Sequence, residues 1–216
     1  MEKSSTPPGP RQRLLDAALR LLEAEGPQAL QARRVTAEIG VSTMAVYTHF
    51  GGMPGLVDAI VREGLTRFAA HVRARPPVAE PLADLFAGGL AFGEFALTNP
   101  RLYSLMFGLV GAPRPPAASE TFTTAEGMDA LSVLLGSVER VIEAGKLPDQ
   151  DARAAATQIL SVTHGYLMLL IGGFVEEELR DVMGPMAINL MVGLGADRAR
   201  AERALVTAVA SRVDAG

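Results

Sequence analysis

The sequence predicts an all-α protein with a small N-terminal domain of three helices and a larger helical C-terminal domain. Apolar residues recur at spacings of three and four along most of the 216 residues, and no stretch shows the apolar-polar alternation of a strand. Prolines at positions 76, 77 and 81 interrupt the helical pattern and mark a joint. We expect domains at residues 10–55 and 56–214.

The N-terminal part contains four predicted helices separated by glycine. The apolar residues of the first helix share one side, and they are Leu14, Leu15, Ala18, Leu21 and Leu22. Gly26 ends this helix. Gly40 can adopt a left-handed turn conformation, and the Ser42 hydroxyl can cap the helix that follows, which ends at Gly51. The predicted helices are 11–25, 31–39, 43–49 and 54–75.

The C-terminal part is predicted to be helical throughout. Its helices are expected at about 82–97, 100–109, 120–144, 151–175, 184–194 and 197–213, with Asn99 as one cap and Gly145 as one stop. Residues 111–119, with three prolines, form the most loop-like stretch. The helix ending near Val175 is apolar almost all round, which indicates burial on two sides.

Composition excludes several classes of protein. The chain has no Cys and only three His, so a disulfide framework, a thiolate zinc site and a cysteine nucleophile are excluded, and a reducing cytoplasm is expected. The longest apolar stretch, 166–175, is too short for a bilayer, which needs about 18 residues. No phosphate loop or nucleophile constellation is present. We expect no enzyme, catalytic residue, metal, cofactor or membrane association.

Charge is distributed unevenly along the chain. The net charge is −4, but residues 1–75 carry 10 Lys and Arg against 7 Asp and Glu, whereas residues 76–216 carry 10 against 17. The N-terminal part is therefore weakly basic, at +3, and the C-terminal part acidic, at −7. Such asymmetry suggests that one part meets a polyanion.

Two short helices joined by a glycine-containing turn, with a longer helix on either side, form a helix-turn-helix pattern. In this motif the first short helix crosses the DNA backbone and the second enters the major groove. Basic residues on the first helix, small hydroxyl residues opening the second, and Tyr and His near its end suit contacts with phosphates and base edges. The predicted DNA-binding residues are Arg33, Arg34, Ser42, Thr43, Met44, Tyr47 and His49.

Residues 30–56 closely resemble the DNA-binding domain of the tetracycline-repressor (TetR) family, through Gly40-Val41-Ser42 and Tyr47-Thr48-His49-Phe50. The resemblance implies groove or backbone contacts for Ser42, Thr43 and Tyr47, and a phosphate contact for His49. Family members usually carry Lys where this chain has Met53. One phosphate contact is then missing, and we expect the slope of log affinity against log salt to be shallower by about one unit.

The C-terminal part is similar to the TetR subgroup named for a Trp-His-Gly signature. The similarity lies in residues 99–108 and in His164-Gly165, although the chain has no Trp. In the family, these helices bind a small molecule and pair two subunits. The expected partners are thus a double-stranded DNA operator, a small hydrophobic effector and a second copy of the chain.

Aromatic and Met side chains supply the material for an apolar pocket, although core packing is the more usual role of each. The larger candidate set also includes Phe86, Phe122 and Met128. His164 is either a satisfied core imidazole or a polar anchor for a ligand. The predicted ligand-binding residues are Phe92, Phe95, Tyr103, Met106, Phe107, His164 and Met168.

These features predict a homodimeric, ligand-responsive DNA-binding regulator, with the repressor role taken from the family. Small residues at Gly172-Gly173 and in 191–195 allow close helix approach between subunits, although a large monomeric core is the alternative. Two motifs on a two-fold axis would require a near-palindromic operator. The competing hypothesis is an all-helical carrier or interaction protein whose helix-turn-helix no longer binds DNA, which Met53 and the low basic charge favour.

Overall fold

The computed structural model describes residues 8–107 and 123–213, and in these ranges it contains helices and no strand. Ten α-helices are described, with short 3-10 turns at Pro27–Ala29 and Glu177–Val182. The helices are α1 (Pro10–Glu25), α2 (Ala32–Ala37), α3 (Met44–Phe50), α4 (Met53–Ala74), α5 (Pro81–Thr98), α6 (Pro100–Met106), α7 (Ala125–Glu143), α8 (Ala152–Ile171), α9 (Met183–Gly193) and α10 (Arg198–Val213). The predicted all-α class is confirmed.

The chain divides into two compact units. The first comprises Met1–Leu65 and Asn99–Gly127, and the second comprises Thr66–Thr98 and Met128–Gly216. The boundary expected between residues 55 and 56 falls within α4, as does the division between Leu65 and Thr66. The independence of residues 10–55 and 56–214 as folding domains stays a prediction.

The first unit is built on the apolar side of α1. Leu14 and Leu22 are fully buried there, as are Val35 of α2 and Val46 of α3. Glu23 fixes α1 to α6, because its carboxylate accepts a 2.8 Å hydrogen bond from the Leu102 N–H. Burial raises the pKa of Glu23 despite this hydrogen bond. The spacing of apolar residues in α1 thus sets the frame that holds α2 and α3.

The second unit packs α5 against α8 and α10. α10 approaches α5 closely because the side chains that it buries are small, namely Ala201, Ala204 and Ala208. Val138 and Val141 of α7 complete the same core. These small side chains explain how α10 can lie close against the apolar α5.

A charged cluster is buried at the start of α5. The Asp84 carboxylate accepts hydrogen bonds from Arg75 at 2.5 and 2.9 Å, from the Val78 N–H at 3.0 Å and from Arg140 at 3.0 Å. Burial alone would raise the pKa of Asp84, but these hydrogen bonds outweigh it and lower the pKa to about 2. Asp84 therefore joins the end of α4, the connection to α5, and α7.

The sequence predicts most helix ends to within a few residues, but two ends differ by more: the helix predicted from residue 120 begins at Ala125, and the helix predicted to end near Val175 ends at Ile171. The latter helix, α8, stops there because Gly173 adopts a left-handed conformation with φ of 74°. The apolar pattern of residues 166–175 continues past this glycine, so periodicity alone does not place the stop. The loop expected at 111–119, the end expected at 109, Gly108 and Phe122 lie outside the described residues.

Candidate nucleic-acid interface and ligand cleft

The turn between α2 and α3 is shaped by Gly40, which has φ of 70°. Thr36 is buried, and its backbone carbonyl accepts a 3.1 Å hydrogen bond from the Val41 N–H, which closes the turn. The expected cap by Ser42 was wrong. α3 begins one residue later, and the N–H of Ala45 is satisfied by the backbone carbonyl of Ser42 at 3.0 Å, so the exposed hydroxyl stays available.

α3 has one buried side chain and two large side chains that are exposed to solvent. Val46 is fully buried and anchors the helix, whereas Met44 is 66% exposed and Tyr47 is 58% exposed. Gly51 ends the helix in a left-handed conformation with φ of 72°. Gly55 of α4 packs against the end of α3, because a Cβ on Gly55 would overlap the carbonyl oxygen of Phe50. The predicted residues Ser42, Thr43, Met44 and Tyr47 are therefore all exposed, and His49 is half-buried.

The two arginines predicted on α2 differ in their surroundings. Both are exposed, but the Arg34 guanidinium forms a 2.5 Å ion pair with Glu25, whereas Arg33 has no such partner among the described residues. The hydrogen bond lowers the pKa of Glu25 and raises that of Arg34. Of the two arginines, Arg33 is therefore the one whose charge no described residue compensates.

Two further arginines lie beside the motif, and sequence reasoning gave them no role. The Arg11 guanidinium carbon lies 5.0 Å from the centroid of the Phe50 ring, and Arg13 Nη2 donates a 3.3 Å hydrogen bond to the Ile39 carbonyl. Both side chains belong to exposed residues of α1. Their distance from the motif along the sequence, 26 residues in one case, hid this proximity.

The seven predicted ligand-binding residues fall in different units. Tyr103, Met106 and Phe107 belong to the first unit, where Tyr103 and Met106 are almost fully buried. The phenol of Tyr103 has a raised pKa because it is buried. Tyr103 and Met106 are therefore core residues of this unit, whereas Phe107 is half-buried, with its ring centroid 4.9 Å from that of Tyr103.

The other four belong to the second unit. Phe92 and Phe95 pack edge-on against Phe68, with ring centroids 4.9 and 5.5 Å apart. His164 and Met168 are half-buried on α8, and burial lowers the pKa of His164. The imidazole is thus favoured in its neutral form at neutral pH.

An apolar cleft of about 50 Å³ lies between α5, α8 and α9. Sequence reasoning missed it, because an aromatic or Met count does not say which helix faces enclose space. Thr163, next to the predicted His164, supplies a hydroxyl. The lining residues are Leu85, Phe86, Gly89, Ile159, Val162, Thr163, Met183, Ala187, Leu190 and Met191. None of the seven predicted residues is among them, although Phe86 of the larger candidate set is.

Comparison with known proteins identifies the family. A model described as "Bacterial regulatory proteins, tetR family" matches residues 14–60, and one described as "Tetracyclin repressor-like, C-terminal domain" matches residues 85–187. Together the two matches cover more than half of the chain. The chain belongs to the TetR family. TetR-family proteins are helix-turn-helix regulators of transcription that bind DNA. The Trp-His-Gly subgroup stays a prediction.

Solved structures share the TetR fold along most of the chain. A protein of unknown function from Rhodococcus sp. RHA1 is 26% identical, with 89% of this chain and 99% of that chain covered and a TM-score of 0.74. The fatty acid degradation regulator FadR from Bacillus halodurans is 15% identical, with 89% and 100% covered and a TM-score of 0.68.

RolR in complex with the ligand resorcinol is 15% identical, with 92% of each chain covered and a TM-score of 0.67. At 15% identity, RolR and FadR show the shared fold alone. No curated protein matches the sequence.

Metal binding and membrane insertion are two further properties that the residues of this TetR-family chain bear on. Within residues 8–107 and 123–213, no group of three or more His, Asp or Glu could hold a metal ion. α8 is long and apolar enough to cross a membrane by length and composition, with mean hydropathy of 1.4. A core helix passes the same test, so α8 does not indicate a membrane protein.

Proposed function

We propose that the chain is a homodimeric, cytoplasmic repressor that leaves a near-palindromic operator when it binds a small apolar effector. The observation that carries this proposal is the exposure of Met44 and Tyr47 on α3. An apolar and an aromatic side chain left in solvent beside a fully buried Val46 contribute nothing to the core. They are the groups that contact thymine methyls, sugars and base edges in a major groove.

The proposed DNA contacts divide by chemistry. Met44 and Tyr47, with the hydroxyls of Ser42 and Thr43, face the groove. Arg33 and His49 contact phosphates, which fix position without selecting sequence. We expect Arg34 to contribute less, since its guanidinium would first have to leave Glu25.

The proposed effector site is the cleft of the second unit. Drug-sized ligands occupy sites of roughly 300–1,000 Å³, and the cleft measures about 50 Å³. Binding would therefore displace side chains, for which the flexible thioethers of Met183 and Met191 are suited. Resorcinol in RolR supports an effector with a small ring, for which the Thr163 hydroxyl would be the polar partner.

The seven residues predicted from the sequence to bind ligand stay a prediction. Phe92 and Phe95 are buried against other rings, so an effector would reach them only by opening that packing. His164 is the better placed, since it is half-buried and next to the cleft residue Thr163.

The proposed dimer uses apolar side chains that the second unit leaves in solvent. Leu169 of α8 is 52% exposed, Phe174 is 80% exposed, and Val206 and Val209 of α10 are 70% and 48% exposed. We propose that a second subunit covers these side chains, since contiguous exposed apolar surface marks interaction sites. Two motifs related by a two-fold axis would contact half-sites about 34–36 Å apart, or a multiple of this distance.

Effector and DNA would then be linked by population shift. The dimer would exist with different spacings between its two helix-turn-helix motifs, and a ligand that binds one spacing better shifts the population toward it. The ligand then changes the affinity for DNA, and DNA changes the affinity for the ligand by the same factor.

The test is fluorescence anisotropy with labelled duplexes from the sequence flanking the gene, at low salt. We expect the wild-type chain to bind, Tyr47→Ala to lose at least about tenfold in affinity, and Leu97→Ala to bind as wild type. Leu97 is the matched control, because it is 51% exposed on α5. Binding by none of the proteins would refute the regulator and favour the carrier hypothesis.

A further inference from the structure

The first turn of α1 brings positive charge to the end of the recognition helix. The Arg11 guanidinium carbon stands 5.0 Å from the centroid of the Phe50 ring, within the range of a cation–π contact. Phe50 is the last residue of α3 and follows His49 directly. The ring therefore restrains the Arg11 side chain beside a residue to which we assign a phosphate contact.

The Arg13 side chain lies beside the turn between α2 and α3. Its Nη2 donates to the carbonyl of Ile39, in the turn that separates α2 from α3. This 3.3 Å hydrogen bond uses one N–H of the guanidinium, and among the described residues no acceptor is found for the others. Arg11 and Arg13 thus border the α2–α3 motif on two sides.

Neither charge is neutralised within the part of the chain that the structure describes. Within residues 8–107 and 123–213, no carboxylate forms an ion pair with Arg11 or Arg13, in contrast to Arg34, which Glu25 holds at 2.5 Å. The first turn of α1 contains no acidic residue. Helix stability does not account for two cations there, because the helix dipole disfavours positive charge at this end.

We propose that Arg11 and Arg13 contact DNA phosphates that flank the groove occupied by α3, and that Phe50 positions Arg11 for this contact. A guanidinium matches a phosphate with two parallel hydrogen bonds, and duplex DNA places phosphates along both edges of the groove. The inference rests on the proposed function, and it enlarges the interface from α2 and α3 to α1.

The test compares Arg11→Gln and Arg13→Gln with Arg20→Gln. Arg20 is exposed on the same helix, seven residues after Arg13 and hence about 10 Å further along the axis, and it has the same charge. The probes are a fluorescein-labelled duplex from the sequence flanking the gene and a random-sequence duplex of equal length. Binding is measured from about 50 to 200 mM KCl, and circular dichroism confirms that each variant is folded.

We expect Arg11→Gln and Arg13→Gln each to weaken binding to both duplexes by about tenfold, and to reduce the slope of log affinity against log salt by about 0.9 per subunit. Arg20→Gln should keep the wild-type slope. Arg11→Lys should restore the slope, because it keeps the charge, while recovering only part of the affinity.

The positioning role of Phe50 is tested by Phe50→Leu in two backgrounds. We expect Phe50→Leu to weaken binding in the wild-type chain and to add little in Arg11→Gln. Equal losses in both backgrounds would overturn the positioning role. An Arg11→Gln variant that binds like Arg20→Gln while Tyr47→Ala loses binding would overturn the phosphate contact alone. A wild-type chain that binds neither duplex would overturn both this proposal and the proposed function.

Discussion

Asp84 is the buried charge on which the second unit depends, and Asp84→Asn removes it with little change of shape. The residue is 7% exposed, and its carboxylate accepts hydrogen bonds from Arg75, Arg140 and the Val78 N–H. The amide of Asn keeps one acceptor oxygen and loses the charge. Arg75, whose side chain is 16% exposed, would then be left without its ionic partner.

The expected loss follows from the pKa. Hydrogen bonds lower the pKa of Asp84 from 3.8 to about 2 against the opposing effect of burial. Each unit corresponds to about 1.36 kcal/mol, so the folded state stabilises the charged form by about 2 kcal/mol. The loss of the ionic partner of Arg75 adds to this cost. We therefore expect Asp84→Asn to lower the free energy of unfolding by about 2–4 kcal/mol at pH 7. The melting temperature would fall by at least roughly 4–8 °C.

The assay is urea unfolding followed by circular dichroism at several pH values. Because the folded-state pKa lies below the unfolded one, the contribution of Asp84 is fully present above pH 3.8 and is lost as the pH falls toward 2. The stability difference between wild type and Asp84→Asn should therefore shrink below about pH 4. The control is Arg140→Gln, whose side chain is 55% exposed and which should cost less than about 1 kcal/mol.

Equal unfolding free energies for Asp84→Asn and Arg140→Gln at pH 7 would refute this reasoning. So would a stability difference that stays constant as the pH falls through the titration of the carboxylate.

Three further predictions follow from packing and charge. Gly55→Ala should abolish DNA binding and cost more than about 2 kcal/mol, because a Cβ there overlaps backbone, whereas Gly89→Ala, with nothing within 4 Å, should be neutral or stabilising by up to about 1 kcal/mol; thermal melting separates them. Glu25→Gln should free Arg34 and tighten binding to random-sequence duplex in anisotropy titrations, and unchanged affinity would place Arg34 away from DNA. Leu169→Glu should yield a folded monomer in sedimentation velocity, and a persistent dimer would move the interface elsewhere.

Much of the fold could be predicted because helix ends follow local chemistry. The sequence predicts helix stops at Gly26, Gly51 and Gly145, and each of these glycines has a positive φ next to a helix end. The motif was equally readable, since Val46 is buried and Tyr47 exposed as the helical period requires. The end of α8 was missed because apolar residues continue past the glycine that stops it.

Long-range pairing could not be predicted. Arg34 and Glu25 are nine residues apart, and Asp84 and Arg140 are 56 apart, so no periodicity brings either pair together. The cleft was missed for a related reason. Aromatic side chains such as Phe92 pack against other rings in the core. The cleft lies instead beside small residues such as Gly89 and Ala187.

The central claim is that the chain selects DNA by sequence through α3. The most direct measurement is repeated selection of bound fragments from genomic DNA by the purified protein, followed by affinity measurement of the enriched site against random-sequence duplex. We predict an enriched near-palindrome bound by two subunits, at least about 10³-fold more tightly than random sequence at physiological salt. Failure to enrich any sequence, with equal affinity for every duplex, would contradict the claim.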